Sequence, residues 1–422
     1  MNSNQSDALV CTVEARDDRR TSNLPCKCKI AYISDQQYPI EKADSEQVIN
    51  NVSALAAAGS QVTLVIPRDW RNFGTPKHLR KQNLTDFYGV QRFCELKELV
   101  SFPITRLRLE KYSHCILAPL WGKLSGQDIV YTRNPLPAFL SLLLGLRVLF
   151  ETYRNYEKHN SYLGKLLARC SGHCNLLGII THSKLSKQSL VKFGIDEQKV
   201  TVIHNGTNPD LFNHSLTKQE ARQRLCLPVD ANIACYAGRL DKEKGIPSII
   251  ELAAMTPEIT YFFIGKTQKD PEDWIENEAE AKRLRNIRRI PWLKSELLSQ
   301  YLLASDVLLI PPTAEPLIRF GKTVLPLKLF LYMGAGRPIL APSLPDILDV
   351  LDSTSAVLVE PDDLDAASTA IRNLFSDNTW ADELARTAKQ DSENYTWPRR
   401  AERILAFIQE RLTKTRAEAL AY

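Results

Sequence analysis

The chain has no apolar run long enough to cross a bilayer. Its longest, residues 136–150, covers 15 residues and contains Arg147, against the roughly 20 that a span requires. It reads instead as a buried helix running into a strand. The first residues, MNSNQSDALVCTVEARDDRR, lack the apolar segment of a secretory signal, and residues 1–25 read as a polar, disordered lead-in. A strong charge bias is missing too: 54 Lys and Arg against 49 Asp and Glu leave +5 over 422 residues. That balance excludes a dedicated nucleic-acid binder and leaves room for anionic ligands or an anionic membrane surface. No G-x-G-x-x-G follows any expected strand, which argues against a nicotinamide oxidoreductase. The nine cysteines include a C-x-C at Cys26 and Cys28 and a pair, Cys170 and Cys174, around His173. Neither has a second pair at zinc-site spacing. They read as reduced thiols of a cytoplasmic protein, and the sequons at Asn51, Asn83, Asn205 and Asn213 read as chance.

What is present is a globular composition, 44% apolar and 24% charged, in a chain long enough for two or three domains. Short β-branched runs alternate with helical periodicity. Residues 28–35 read as a strand. Residues 46–58 read as a helix, with Val48, Val52 and Leu55 on one face and a stop at Gly59. Residues 61–67 read as a second strand closed by proline. Such a βαβ unit builds a parallel sheet with ligands at the carboxyl ends of its strands. The pattern recurs at 128–133, 147–152, 177–183 and 199–206. Residues 68–121 are less regular, and their basic cluster (Arg68, Arg71, Lys77, Arg80, Lys81) reads either as a solvated face or as a phosphate- or membrane-facing surface. A second alternation follows, with strands at 232–240, 259–266, 305–312, 337–343 and 355–361 and helices at 295–304 and 326–334. The expectation is an α/β protein of two Rossmann-like domains, residues 26–205 and 206–395. A helix over 396–422 would pack back on the first domain.

Three segments carry chemistry. In GRLDKEKG, residues 238–245, Gly238 permits a tight turn after a strand. Arg239 and Lys244 can then flank an anion. VIHNGTNPDLF lies upstream at 202–212, and LPLKLFLYMGAGRPILAPSLP downstream at 325–345. In this order and at these separations, the three resemble glycosyltransferase family 4 and related retaining enzymes of the GT-B fold. The resemblance covers about residues 28–405.

The resemblance implies two Rossmann-like domains facing each other across a cleft. A nucleoside-diphosphate sugar would bind mainly to the second domain and a saccharide or lipid-linked acceptor to the first, in surface-polysaccharide assembly. It implies no cofactor beyond that sugar nucleotide, and a cytoplasmic site peripheral to the membrane. Arg239 and Lys244 match the basic pair that neutralises the leaving diphosphate, a task that needs no metal. Asp363 and Asp365 resemble a metal-binding D-x-D by letter only and read as a helix cap. Gly265 and Lys266 match the place where backbone meets diphosphate. Trp292 falls where relatives contact the nucleobase; base stacking and ordinary packing are equally compatible with it. Lys328 and position 331 share a helix face, but Leu331 stands where many relatives carry the ribose-binding Glu, and Leu325 replaces a Ser. The alternative slot for a Glu, Thr323, also lacks a carboxylate, and Glu315 is the nearest substitute.

In the first domain, relatives often read E-x-H after the strand at 147–150. Here Glu151 is kept and Tyr153 fills the His slot; a phenol with a pKa of about 10 is a poor base. Glu151, Tyr153 and Arg154 are acceptor-side orienting candidates, with the leaving phosphate implied to take the acceptor's proton. The loop 34–42 replaces a glycine-rich loop, His182 reads as structural, and Asn205 and Gly206 mark the hinge. Two rival readings stay open: a degenerate, non-catalytic GT-B binding or scaffold protein, and a GT-B sugar-nucleotide epimerase.

Overall fold

The computed structural model describes residues 28–69, 74–90, 92–101, 109–154, 156, 161–212, 216–320 and 325–420. The lead-in 1–25, Arg71 and Thr323 lie outside them. The first half runs β1 (Lys29–Ile33), α1 (Ala43–Ala57), β2 (Gln61–Asp69), α2 (Lys77–Tyr88), β3 (Glu95–Ser101), α3 (Leu109–Leu124), β4 (Ile129–Thr132), α4 (Pro135–Leu143), β5 (Arg147–Thr152), α5 (Ser161–Ser171), β6 (Leu176–Thr181), α6 (Lys184–Lys192) and β7 (Val200–Val202). The second half runs α7 (Lys218–Arg224), β8 (Ile233–Ala237), α8 (Ile246–Met255), β9 (Thr260–Ile264), α9 (Trp274–Ala281), β10 (Ile287–Ile290), α10 (Ser295–Ala304), β11 (Val307–Leu309), α11 (Glu315–Phe320), α12 (Leu327–Ala335), β12 (Ile339–Pro342), β13 (Val357–Val359), α13 (Leu364–Ser376), α14 (Asn378–Ser392) and α15 (Trp397–Leu420).

Each half holds one parallel sheet. The orders are β3-β2-β1-β4-β5-β6-β7 and β10-β9-β8-β11-β12-β13. In both, the order reverses beside the first strand, between β1 and β4 and between β8 and β11. That reversal opens a crevice above the strand ends where ligands of doubly wound sheets bind. The central strands are buried on both faces, as the burial of every residue in β4, β6 and β8 shows, so they appear in the sequence as unbroken apolar runs.

Two strands and two helices escape that signal. β3 and β10 are edge strands, and their sequences, ELKELVS and IRRI, alternate or mix polar residues because one flank meets solvent. α2 and α3 occupy the stretch read as irregular. The basic cluster there is largely paired: Arg80 Nε lies 2.9 Å from both carboxylate oxygens of Glu98, and Lys77 and Lys81 face Glu95 at 3.6 and 3.4 Å. These three cations answer acids of β3.

α15 returns to the first half, where Trp397, Ala401, Ile404, Phe407 and Ile408 join the core formed by β1, β2 and α1. One charge pair fixes this return. Glu151, at the end of β5, is fully buried. Its Oε1 accepts from Arg400 (2.9 Å), from Gln47 of α1 (2.7 Å) and lies 2.6 Å from His182 Nε2; Oε2 accepts from Tyr131. Burial alone would raise the Glu151 pKa, but Arg400, the His182 hydrogen bond and Arg133 outweigh it and hold the carboxylate well below its ordinary range. Burial likewise pulls His182 down to about 4. Arg400 also donates to the carbonyls of Ile203 and His204 at 2.6 and 2.8 Å, in the segment joining the halves.

Removing one partner of such a pair strands the other in the interior. Arg400→Ala is expected to cost about 3–5 kcal/mol, read as a lower urea midpoint with the slope unchanged. A loss below about 1 kcal/mol would show that the pair is not what holds α15 in place.

Candidate functional site

On the second half, the loop after β8 forms the centre. Gly238 has φ +142 and Gly265 φ +144, both in the region that favours glycine. A Cβ on Gly265 would lie 1.9 Å from the Gly238 carbonyl oxygen, and one on Gly238 would lie 2.8 Å from Lys328 Nζ. Glycine at both places lets two strand-end loops pass each other and lets the Lys328 ammonium reach the turn. Lys328, from the first turn of α12, lies over the Tyr236 ring at 3.4 Å. Burial, then the neighbouring cations Lys244 and Arg239, push its pKa well below the ordinary lysine range.

Arg239 is held by carboxylates of its own loop. Its Nε lies 2.7 Å from Asp241, and its terminal nitrogen pairs with Glu243. Asp241 is the anchor of the turn: its Oδ1 accepts from the backbone of Gln268, Lys269 and Asp270 at 2.9, 2.9 and 3.2 Å. Three basic side chains thus surround one exposed glycine turn at the carboxyl end of β8. A multivalent anion seated there would relieve their repulsion.

On the first half, a cavity of about 420 Å³ opens above the ends of β1, β4 and β5, lined among others by Asp35, Lys111, Tyr112, Arg133, Glu151, Tyr153 and Arg154. Arg133 bonds Gln47 at 2.8 Å and lies 5.1 Å from the Tyr153 ring centre. Lys111 pairs with Asp35 at 3.1 Å. Burial raises the Tyr153 phenol above its ordinary value. The loop 34–42 joins the two regions: Ser34 and Asp35 line the cavity, while Glu41 forms an ion pair with Lys266 of the second half. Trp292 is stacked on Phe87 of α2, centroids 5.8 Å apart and planes at 17°.

The structure therefore brings Gly238, Arg239, Lys244, Gly265, Lys266 and Lys328 together, and gathers Glu151, Tyr153 and Arg154 at the other side. Lys266 and Trp292 both contact the first half. Glu315 opens α11, beside the turn that carries Lys244. Leu331 packs at the margin of the second core. Asp363 caps α13, accepting from Ala366 N at 2.8 Å; among the described residues no cluster of His, Cys, Asp and Glu converges as a metal site. Sequence reading missed Asp241, Arg133 and Arg400. An acid inside an otherwise basic loop was the available signal for Asp241; the other two gain their meaning from distant partners.

A half-buried lysine repelled by two cations costs stability in the ligand-free protein. Lys328→Met is expected to raise the thermal midpoint of the ligand-free protein by a few degrees, about 1 kcal/mol in a chain of this size. A lower midpoint would mean that the ammonium's contact with Tyr236 outweighs the repulsion.

Family models agree with the architecture. Residues 46–211 match Glycosyltransferase Family 4, and residues 217–391 match Glycosyl transferases group 1. An uncharacterized glycosyltransferase of Methanocaldococcus jannaschii is 27% identical over 52% of this chain and 56% of its own length. A D-inositol 3-phosphate glycosyltransferase of Streptomyces avermitilis is 26% identical over 52% and 48%. The chain thus spans about half the length of the curated relatives it matches. Among solved structures, sucrose-phosphate synthase from Thermosynechococcus elongatus superposes with TM-score 0.73 at 20% identity, covering 92% of this chain and 100% of that one. Anabaena HepE in complex with UDP superposes with TM-score 0.69 at 14% identity, covering 90% and 100%. With two family models in sequence along one chain and two parallel sheets meeting across a cleft, the chain belongs to the group 1 glycosyltransferases of the GT-B fold.

Proposed function

We propose that this chain is a retaining glycosyltransferase that moves a hexose-type sugar from a nucleoside diphosphate to a saccharide or lipid-linked acceptor. The observation that carries the reading is the convergence of Arg239, Lys244 and Lys328 on the Gly238 turn, with the Arg133-bearing cavity on the other half. As the glycosidic bond to phosphate lengthens, charge gathers on the diphosphate. Preorganised cations in a closed cleft stabilise it without a metal. Arg239 exchanges its loop carboxylates for phosphate oxygens. Lys266 exchanges Glu41 for the same ligand, so donor entry and the loop 34–42 are coupled. HepE, solved with UDP-glucose, is a GT-B relative by fold that holds such a donor.

Two carboxylates of the cavity are already paired, Asp35 with Lys111 at 3.1 Å and Asp44 with Arg133 at 3.5 Å. Glu151 is ionised, but its two oxygens are already engaged by four donors, and the Tyr153 proton is held more tightly than usual. The acceptor's proton therefore goes to the departing phosphate, with attack on the face it leaves. Glu151 acts by positioning Gln47, which in turn holds Arg133 at the cavity wall. Surface-polysaccharide assembly is the setting that fits a saccharide or lipid-linked acceptor. The rival, a binding or scaffold protein, draws on Leu331 and Tyr153 in slots that relatives fill with Glu and His; the intact cation cluster opposes it.

Arg239→Ala and Lys244→Ala are each expected to lower kcat by about 100-fold or more and to weaken UDP binding, with activity of the unmodified protein persisting in excess EDTA. Unchanged kinetics in both variants, or loss of activity in EDTA restored by magnesium, would overturn the assignment. The ribose needs a partner in place of the missing Glu. Glu315→Ala is expected to weaken nucleotide binding by about 1–3 kcal/mol, and Leu331→Glu to recover part of that loss in the same variant, by calorimetry. Normal binding by Glu315→Ala would exclude Glu315.

A further inference from the structure

α3 turns an apolar stripe outward. Tyr112, Ile116, Leu117, Leu120 and Leu124 are all exposed, Leu124 at 88%. They recur every three or four residues, so they form one face. Such a face belongs inward on an ordinary surface helix. Here α3 already buries a second face, with Cys115 and Ala118, against β2, β3 and α4. The neighbouring α4 adds Leu143, 82% exposed, and Leu136. Scattered exposed leucines need no explanation, but a contiguous stripe on two adjacent helices marks a contact surface.

Its charge pattern selects the occupant. α3 carries three charged residues. The one acid, Glu110, is buried, whereas Lys123 is exposed and Lys111 half-exposed. α4 carries none. Trp121 lies on the same helix with the Lys97 ammonium 5.8 Å from its ring. Apolar side chains, an amphipathic aromatic and cations without exposed acids are the composition of a helix lying in the plane of an anionic bilayer surface. With 16 residues, α3 is about 24 Å long, enough for several lipid headgroups.

The stripe is continuous with the cavity. Tyr112 and Leu136 are exposed members of the apolar face and also line the cavity wall, beside Lys111 and Arg133. We infer that the α3–α4 face docks on an anionic lipid bilayer and that the acceptor is an amphiphile, its polar head in the cavity beside Arg133 and its apolar part leaving past Tyr112 and Leu136 into that bilayer. The second clause rests on the proposed transferase reading; the docking itself does not.

The test is flotation with vesicles of phosphatidylcholine alone and with one-third phosphatidylglycerol. The unmodified protein should float with the anionic vesicles and far less with the neutral ones. Ile116→Asp combined with Leu120→Asp, neither of which lines the cavity, should lower partition at least about tenfold. Lys123→Glu should lower it about fivefold on anionic vesicles only. A UDP thermal shift on the same samples reports the donor site and should be unchanged in all variants, which also shows that they fold. Protein that stays below the vesicles overturns docking whatever the UDP result. So does equal flotation of the double Asp variant. Sedimentation velocity showing a dimer that the double variant dissolves would assign the face to a second copy of the chain instead. If the protein docks, transfer to a detergent-dispersed amphiphilic acceptor should exceed transfer to the same headgroup without its tail. Equal transfer to both would remove the acceptor clause and leave docking standing.

Discussion

The buried pairing of Glu151 with Arg400 is the constraint on which the rest of the molecule depends. A carboxylate at the end of a central strand is tolerable only with full compensation, and the compensating groups come from four places: α1, β4, the residue after β6, and α15. Satisfying one charge therefore fixes the cavity wall through Gln47 and Arg133, the orientation of His182, and the return of the last helix. The remaining hydrogens of the guanidinium go to Asn51 of α1 at 3.1 Å and to the carbonyls of the connecting segment. A charge that is costly to bury becomes a means of specifying where five pieces of chain must meet.

The two halves treat charge in opposite ways. The first lines its cavity with compensated pairs, Lys111 with Asp35 and Arg133 with Asp44. The second leaves Lys328 among other cations. A fold that can satisfy Glu151 so thoroughly has the means to satisfy Lys328 as well. The repulsion at the Gly238 turn is consistent with a charged partner that is not part of the chain.

The central strands were legible because burial on both faces forces unbroken apolar runs. β5 and α10 appear with the bounds read from the sequence, and Gly336, just past α12, takes the left-handed conformation that commonly ends a helix. β3 and β10 were not legible, since an edge strand needs only one covered flank and its polar residues break the pattern. The basic turn was legible from local spacing. Lys328 could be placed on its helix face, but not its approach to Tyr236 or the shift that follows. Nothing local to Arg400 distinguishes it from Arg399, its exposed neighbour; the difference arises only when α15 reaches Glu151. Glu151 itself matched an acceptor-side motif, yet its environment gives it a positioning task that no short motif encodes.

The chain passes between the halves twice, and the two passages lie side by side. Thr207 and Thr396 form a parallel bridge, with Thr207 N bonded to Tyr395 O at 2.9 Å and Trp397 N to Thr207 O at 3.2 Å. A Cβ on Gly206 would lie 2.5 Å from the Thr396 carbonyl carbon, so the passages touch backbone to backbone. A single connecting strand would let one half swivel freely about it. Two strands tied together form a ribbon, which bends readily across its flat face and resists twisting about its length. The link between the halves is therefore a double one, and any movement of one half against the other must carry both passages with it.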